Sequence, residues 1–110
     1  MAFALAVDEF AERLPPWRHY LRDQLRRASL SVLLNLREGG SDVLPREKAR
    51  FYRIAKRSAA ECETALEFTA HVAPEIAEPA RDLARRASPL IVQLYRLSRH
   101  QMTRMRPLPT

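Results

Sequence analysis

Glu67 and His71 are the pair whose types and spacing first suggest chemistry. Four residues apart on a helix, they share a face, but a di-iron bundle needs Glu-x-x-His on two helices plus further inward glutamates. The residue three before His71 is Phe68, so Glu67 and His71 read as an ordinary surface pair. His19 and His100 have no cysteine or acid in metal-ligand register. Cys62 falls on the inner face of a helix, where a small apolar side chain packs. Gly39-Gly40 lacks the following Lys-Ser/Thr of a phosphate loop, and no nucleophile, histidine and acid can be set in a catalytic order. These residues point away from an enzyme and imply neither metal nor cofactor.

The cations are more informative. The 110 residues carry a net charge of +6, with 17 Arg and 2 Lys. No acid follows Asp82, whereas Arg85, Arg86, Arg96, Arg99, Arg104 and Arg106 do. A basic segment of this kind suits a polyanion, or else forms a solvated helix face ending in a basic tail. Cys62 is alone, so no intramolecular disulfide is available, which fits a reducing cytoplasm. The opening MAFALAVDEFAERL has no preceding positive region and meets acids at Asp8 and Glu9. It is a poor signal peptide and too short to span a bilayer, so a cytoplasmic protein without membrane contact is expected.

Helices must position these side chains. Two glycines, few β-branched residues and a predominance of Ala, Leu, Arg and Glu indicate an all-α chain. Apolar periodicity predicts helices over about 2–14, 16–38, 46–72 and 79–102, within one domain spanning 1–103 and followed by a flexible basic tail, 104–110. Phe3, Val7, Phe10 and Leu14 stripe the short first helix, which Pro15-Pro16 ends. Trp17, Leu21, Leu25, Ala28, Val32 and Leu36 stripe the second, and Gly39-Gly40 should close it in the left-handed conformation that glycine adopts freely. Asp42 or Ser41 is the expected cap of the third helix. Pro89 should kink the fourth and free the Arg85 carbonyl. Short connections make neighbours antiparallel, giving an up-down-up-down four-helix bundle. The short first helix leaves its partners partly uncovered, so the bundle is expected to form oligomers.

The second helix carries a polar stripe, Gln24, Arg27, Ser31, Asn35 and Glu38, between two apolar arcs. Antiparallel pairing about the Gly39–Pro45 turn brings Arg27 near Glu61 and Ser58, and Ser31 near Phe51–Ala55. An Arg27–Glu61 ion pair setting the register is therefore expected. Asn35 and Glu38 should anchor the Gly39–Asp42 turn or, alternatively, line a ligand pocket at that end.

QLRRASLSVLLNLREGG, followed by FYRIAKRSAAECETALEF, resembles a bacterial family of four-helix-bundle proteins. That family includes proteins encoded in intervening sequences of large-subunit ribosomal RNA genes and the accessory variability determinant of diversity-generating retroelements. Gln24, Leu25, Arg27, Ala28, Ser31, Val32, Asn35, Leu36, Glu38 and Gly39 match the first part of its signature. Phe51, Tyr52, Ile54, Ala55, Ser58 and Glu61 match the second, while Arg57 stands where the family usually has Gly. The resemblance implies a pentameric homo-oligomer, a basic surface and association with RNA or DNA, with a reverse transcriptase as one protein partner. It implies no catalysis.

The expected nucleic-acid contacts are the outward arginines of the second helix, Arg18, Arg22, Arg26 and Arg37, and of the fourth, Arg81, Arg85, Arg96 and Arg99. The competing reading is a protein-interaction scaffold that uses Leu30, Leu33, Leu34 and Val92 and touches no nucleic acid.

Overall fold

The computed structural model describes residues 2–105. Four α-helices account for nearly all of them: α1 (Ala2–Glu12), α2 (His19–Gly39), α3 (Pro45–Val72) and α4 (Ala77–Thr103). Single 3-10 turns at Pro16–Arg18 and Pro74–Ile76 lead into α2 and α4. Each helix runs antiparallel to the next. Arg26 of α2 reaches back to Asp8 and Glu12 of α1, Ser31 meets Ser58 across α2 and α3, and Ser88 of α4 donates to Glu63 of α3. The result is an up-down-up-down rod of 59 × 21 × 19 Å.

Small side chains set the packing. Ala55, Ala59, Ala65 and Ala70 of α3, with Ala80, Ala84 and Ala87 of α4, are buried where these two long helices share the most extensive interface. The short α1 packs on α2 and α4 over one half of the rod only. There Phe3, Val7, Phe10 and Leu14 bury against Leu21, Leu25, Leu66 and Leu83. Beyond the N-terminus of α1 the core has three helices and thins to Val32, Tyr52, Ala55, Ala59 and Leu94, with Leu36, Leu90, Ile91 and Leu97 half-buried around it.

The end of a helix presents carbonyl groups without an intrahelical partner and a partial negative charge. In this bundle a cation from elsewhere in the chain meets each of three such ends. Arg22 donates to the Leu14 carbonyl just beyond α1 at 2.7 Å. Lys48 donates to the carbonyls of Gly39 (3.1 Å) and Ser41 (2.6 Å) beyond α2. Arg18 donates to the Val72 carbonyl ending α3 at 3.0 Å.

Several local expectations are corrected. Trp17 belongs to the 3-10 turn and is 71% exposed rather than in the apolar stripe. Neither glycine adopts a positive φ; Gly40 ends α2 at φ −87°, ψ −4°, ordinary right-handed values. The glycine that matters is Gly39, where a Cβ would lie 2.6 Å from Tyr52 Cε1, so the ring of α3 packs directly on the α2 backbone. α3 opens from Leu44 without a side-chain cap, on Pro45, whose missing N–H costs nothing in a first turn. Pro89 lies inside α4, which runs on to Thr103, and having no N–H it leaves the Arg85 carbonyl without its intrahelical donor. Arg104 and Met105 bond back to the last turn of α4 through the Gln101 and Met102 carbonyls; the rest of the expected tail, 106–110, lies outside the described residues.

Candidate nucleic-acid interface

The polar stripe of α2 does meet α3, through smaller side chains than expected. Ser31 and Ser58 share a hydrogen bond of 2.7 Å between their hydroxyls. Asn35 Nδ2 donates to the Ser31 carbonyl (2.8 Å) and to its hydroxyl (3.2 Å). Arg27 and Glu61 form no ion pair: both are exposed, rotated past the seam that Ser31 and Ser58 occupy. Glu38 is exposed as well, and Gln24 is half-buried beside the seam. Asn35 bonds within its own helix rather than to the turn. The turn is held by Lys48 and by Ser41 Oγ, which donates to the Glu38 carbonyl at 2.6 Å. Lys48 was not legible as an anchor because nothing in its sequence neighbourhood marks a cation that folds back on a preceding helix.

The eight arginines expected to bind phosphate divide into two groups. Arg18 and Arg22 are half-buried and committed to helix ends. Arg26 lies 3.3 Å from Asp8 and 2.7 Å from Glu12. Arg81 pairs with Glu78 at 3.6 Å, and Arg85 pairs with Asp82. Exposed ion pairs of this kind are worth only about 0–1 kcal/mol, so stability is not what they decide. They place an anion beside each cation, and a phosphate approaching there gains little net attraction. Arg37, Arg96 and Arg99 are exposed and have no acidic partner among the described residues.

The structure adds a set that the sequence reading passed over. Arg46, Arg50, Arg53 and Arg57 follow one another at spacings of 4, 3 and 4 on α3. All four are exposed and none forms an ion pair among the described residues. The spacing sets them on one face over about 16 Å of helix. That periodicity is present in the sequence, but Glu47 interrupts it there.

Folding collects these cations at one end. The half of the rod beyond α1, residues 29–60 and 88–105, holds ten basic side chains and three acidic ones. The half containing α1, residues 2–28 and 61–87, holds eight basic and ten acidic. The positive charge thus belongs to the end where the α2–α3 turn meets the C-terminal half of α4. The opposite half opens a shallow cleft of about 570 Å³ between α3 and α4, lined by Glu63, Glu67, Phe68 and His71 against Arg81 and Arg85. Its walls carry both signs of charge.

Cys62 is fully buried, and loss of hydration, then the charge of Glu61, pushes its thiol up to about 12. It stays protonated and shielded. No three His, Cys, Asp or Glu side chains among the described residues are grouped to hold a metal. No described helix is long and apolar enough to cross a membrane.

Fold and surface together define an antiparallel all-α bundle with a charge-polarised long axis and a basic end. The model of the 23S rRNA-intervening sequence proteins matches residues 1–96, and the chain belongs to that family. No curated protein and no solved structure matches the chain. The family resemblance read from the sequence is therefore upheld, and the signature acquires a structural meaning. Ser31 and Ser58 join its two parts by a hydrogen bond, with Asn35 bonded to Ser31 within α2, and Gly39 and Tyr52 join them by packing. Both junctions fix how α2 sits on α3.

Proposed function

We propose that this protein is a non-enzymatic nucleic-acid-binding bundle that grips the phosphate backbone with its basic end. The supporting observation is the unpaired arginine ladder Arg46–Arg50–Arg53–Arg57, flanked by Arg37, Arg96 and Arg99. Arginine presents a planar fork of donors that matches phosphate, and release of counterions from the polyanion drives such binding. Membership of a family named for ribosomal RNA intervening sequences makes RNA the first ligand to test. Its role is that of an accessory to an RNA or reverse-transcriptase complex. Filter binding of a 20-nucleotide RNA across a salt series tests this. Affinity should fall steeply with salt; a Kd weaker than about 10⁻⁴ M at physiological salt, or one indifferent to salt, rules it out.

Self-association belongs to the same reading. Leu30 and Leu34 are exposed on α2 at 54% and 52%, next to Arg27 and Glu38, which lack partners among the described residues. A second copy packing on this face would cover the leucines and multiply the basic ends into a continuous surface. Native mass spectrometry should give an oligomer for the wild type, a pentamer by analogy with the family, and a monomer for Leu30→Glu/Leu34→Glu. A monomeric wild type would refute the assembly and leave a single basic end to bind alone.

A further inference from the structure

The ladder on α3 reads phosphates, which single and double strands share. The same end of the bundle also carries an aromatic surface. Tyr95, on the C-terminal half of α4, is 51% exposed. Lys56 of α3 holds its ammonium 5.5 Å from the centre of the Tyr95 ring, fixing the ring at the seam between the two helices. Arg53 lies one turn before Lys56 on α3, and Arg99 one turn after Tyr95 on α4. Because the two helices run antiparallel, both arginines lie on the basic-end side of the ring, one on each helix, both exposed and neither in an ion pair among the described residues. Lys56 covers the ring from the α3 side, and about half of the side chain remains open to solvent.

We infer that Tyr95 is a stacking platform for an unpaired nucleobase, so the basic end selects single-stranded over double-stranded nucleic acid. The inference rests on the phosphate-binding reading above and extends it to the class of ligand. A base swung out of a single strand lays its π-face on the tyrosine ring, while the strand's phosphates running on towards the basic end meet Arg53 and Arg99. A duplex keeps its bases stacked inside and offers only its backbone. Stacking on one aromatic side chain contributes about 1–3 kcal/mol per base, which corresponds to a factor of roughly 5 to 150 in affinity. Such a contact is indifferent to salt, because it neutralises no phosphate. Lys56 has two functions in this arrangement: it orients the ring, and its charge makes the seam attractive to the incoming strand.

The test compares a fluorescein-labelled 20-nucleotide uridine-rich RNA with a duplex of the same length, by anisotropy over a salt series. The full-length wild type, Tyr95→Ala, Tyr95→Phe and Arg50→Gln/Arg53→Gln are measured. The single strand should bind the wild type at least tenfold tighter than the duplex. Tyr95→Ala should weaken only the single strand, by 5-fold or more, with its salt slope unchanged; Tyr95→Phe should retain the preference. Arg50→Gln/Arg53→Gln should weaken both forms and flatten both slopes. A wild type that does not discriminate, a Tyr95→Ala variant that still does, or a Tyr95→Phe variant as weak as Tyr95→Ala overturns the stacking role. If the arginine variant still loses affinity in those cases, the phosphate-binding reading survives alone. Failure of the wild type to bind either RNA overturns both. Thermal melting of Tyr95→Ala coincident with the wild type shows that any loss is local, as the half-exposed position leads one to expect.

Discussion

At the scale of single residues, close packing and burial decide more than chain conformation does. Gly39 looks in the sequence like a helix terminator, yet its backbone is right-handed and its value lies in what it lacks. A methyl group there would meet three atoms of the Tyr52 ring within 2.9 Å, and that ring is buried and cannot swing clear. Overpacking of this kind costs about 1–3 kcal/mol. Gly39→Ala should therefore lower the urea midpoint by that order, whereas Gly40→Ala, with only carbonyl oxygens at 3.5 Å or more, should change it little. Equal effects at the two positions would refute the Tyr52 contact. Cys62 gives a prediction in pH. Burial pushes its thiol up to about 12 in the fold, from an ordinary 9.0 once exposed. The unfolded chain then sheds a proton that the folded chain keeps. The contribution is intact below about pH 9 and is lost as pH rises towards 12. Stability should fall more steeply between pH 9 and 11 for the wild type than for Cys62→Ala, measured by urea unfolding; parallel curves would contradict the burial of the thiol.

At the scale of elements, the helices themselves were legible and their ends were not. Apolar spacing of 3 and 4 located α1, α3 and α4 and the buried positions Leu21, Leu25, Ala28 and Val32 of α2, because burial along one stripe is a property of a helix alone. Trp17 fell outside that logic: it lies in the 3-10 turn Pro16–Arg18 ahead of α2, where the stripe of the helix does not extend, and its indole is exposed. The Ser31–Ser58 seam replaced the expected Arg27–Glu61 pair for a related reason. A helical wheel orders the polar stripe, but only the packed pair of helices says which member of it lies on the line of contact. The cationic clasps on helix ends are tertiary in the same sense, since Arg18 reaches the Val72 carbonyl 54 residues away. Each should contribute on the order of 1.5–3 kcal/mol, the usual worth of a hydrogen bond to a charged group. Lys48→Met, which keeps the length of the side chain and removes its charge, should lower stability by about that amount and speed amide exchange at Ser41 and Val43, at the turn it holds. Unchanged exchange in that turn would mean that Ser41 and Glu38 suffice.

At the scale of the whole molecule, charge is arranged by folding rather than by sequence order. Read linearly, the surplus lies after Asp82; read along the 59 Å axis, it lies at the end where the first half of α3 meets the second half of α4. This is why half of the candidate interface was legible and half was not. Arg96 and Arg99 stand out in an acid-free segment. The α3 ladder is interrupted in sequence by Glu47, and its partners in the same patch come from a helix 40 residues further on. Conversely, Arg26, Arg81 and Arg85 look available until their neighbours Asp8, Glu12, Glu78 and Asp82 are seen beside them. The division between free and neutralised arginines is the central claim, and the salt dependence of RNA binding tests it most directly. Each phosphate contact on a single strand contributes about 0.7 to the slope of log K against log salt. Replacing Arg46, Arg50, Arg53 and Arg57 by Gln should reduce that slope by roughly 2–3 and weaken binding at every salt concentration. Replacing Arg26, Arg81 and Arg85 by Gln, the same chemical change on the opposite half of the rod, should leave slope and affinity close to the wild type. A larger loss from the second set than from the first would contradict the placement of the interface at the basic end.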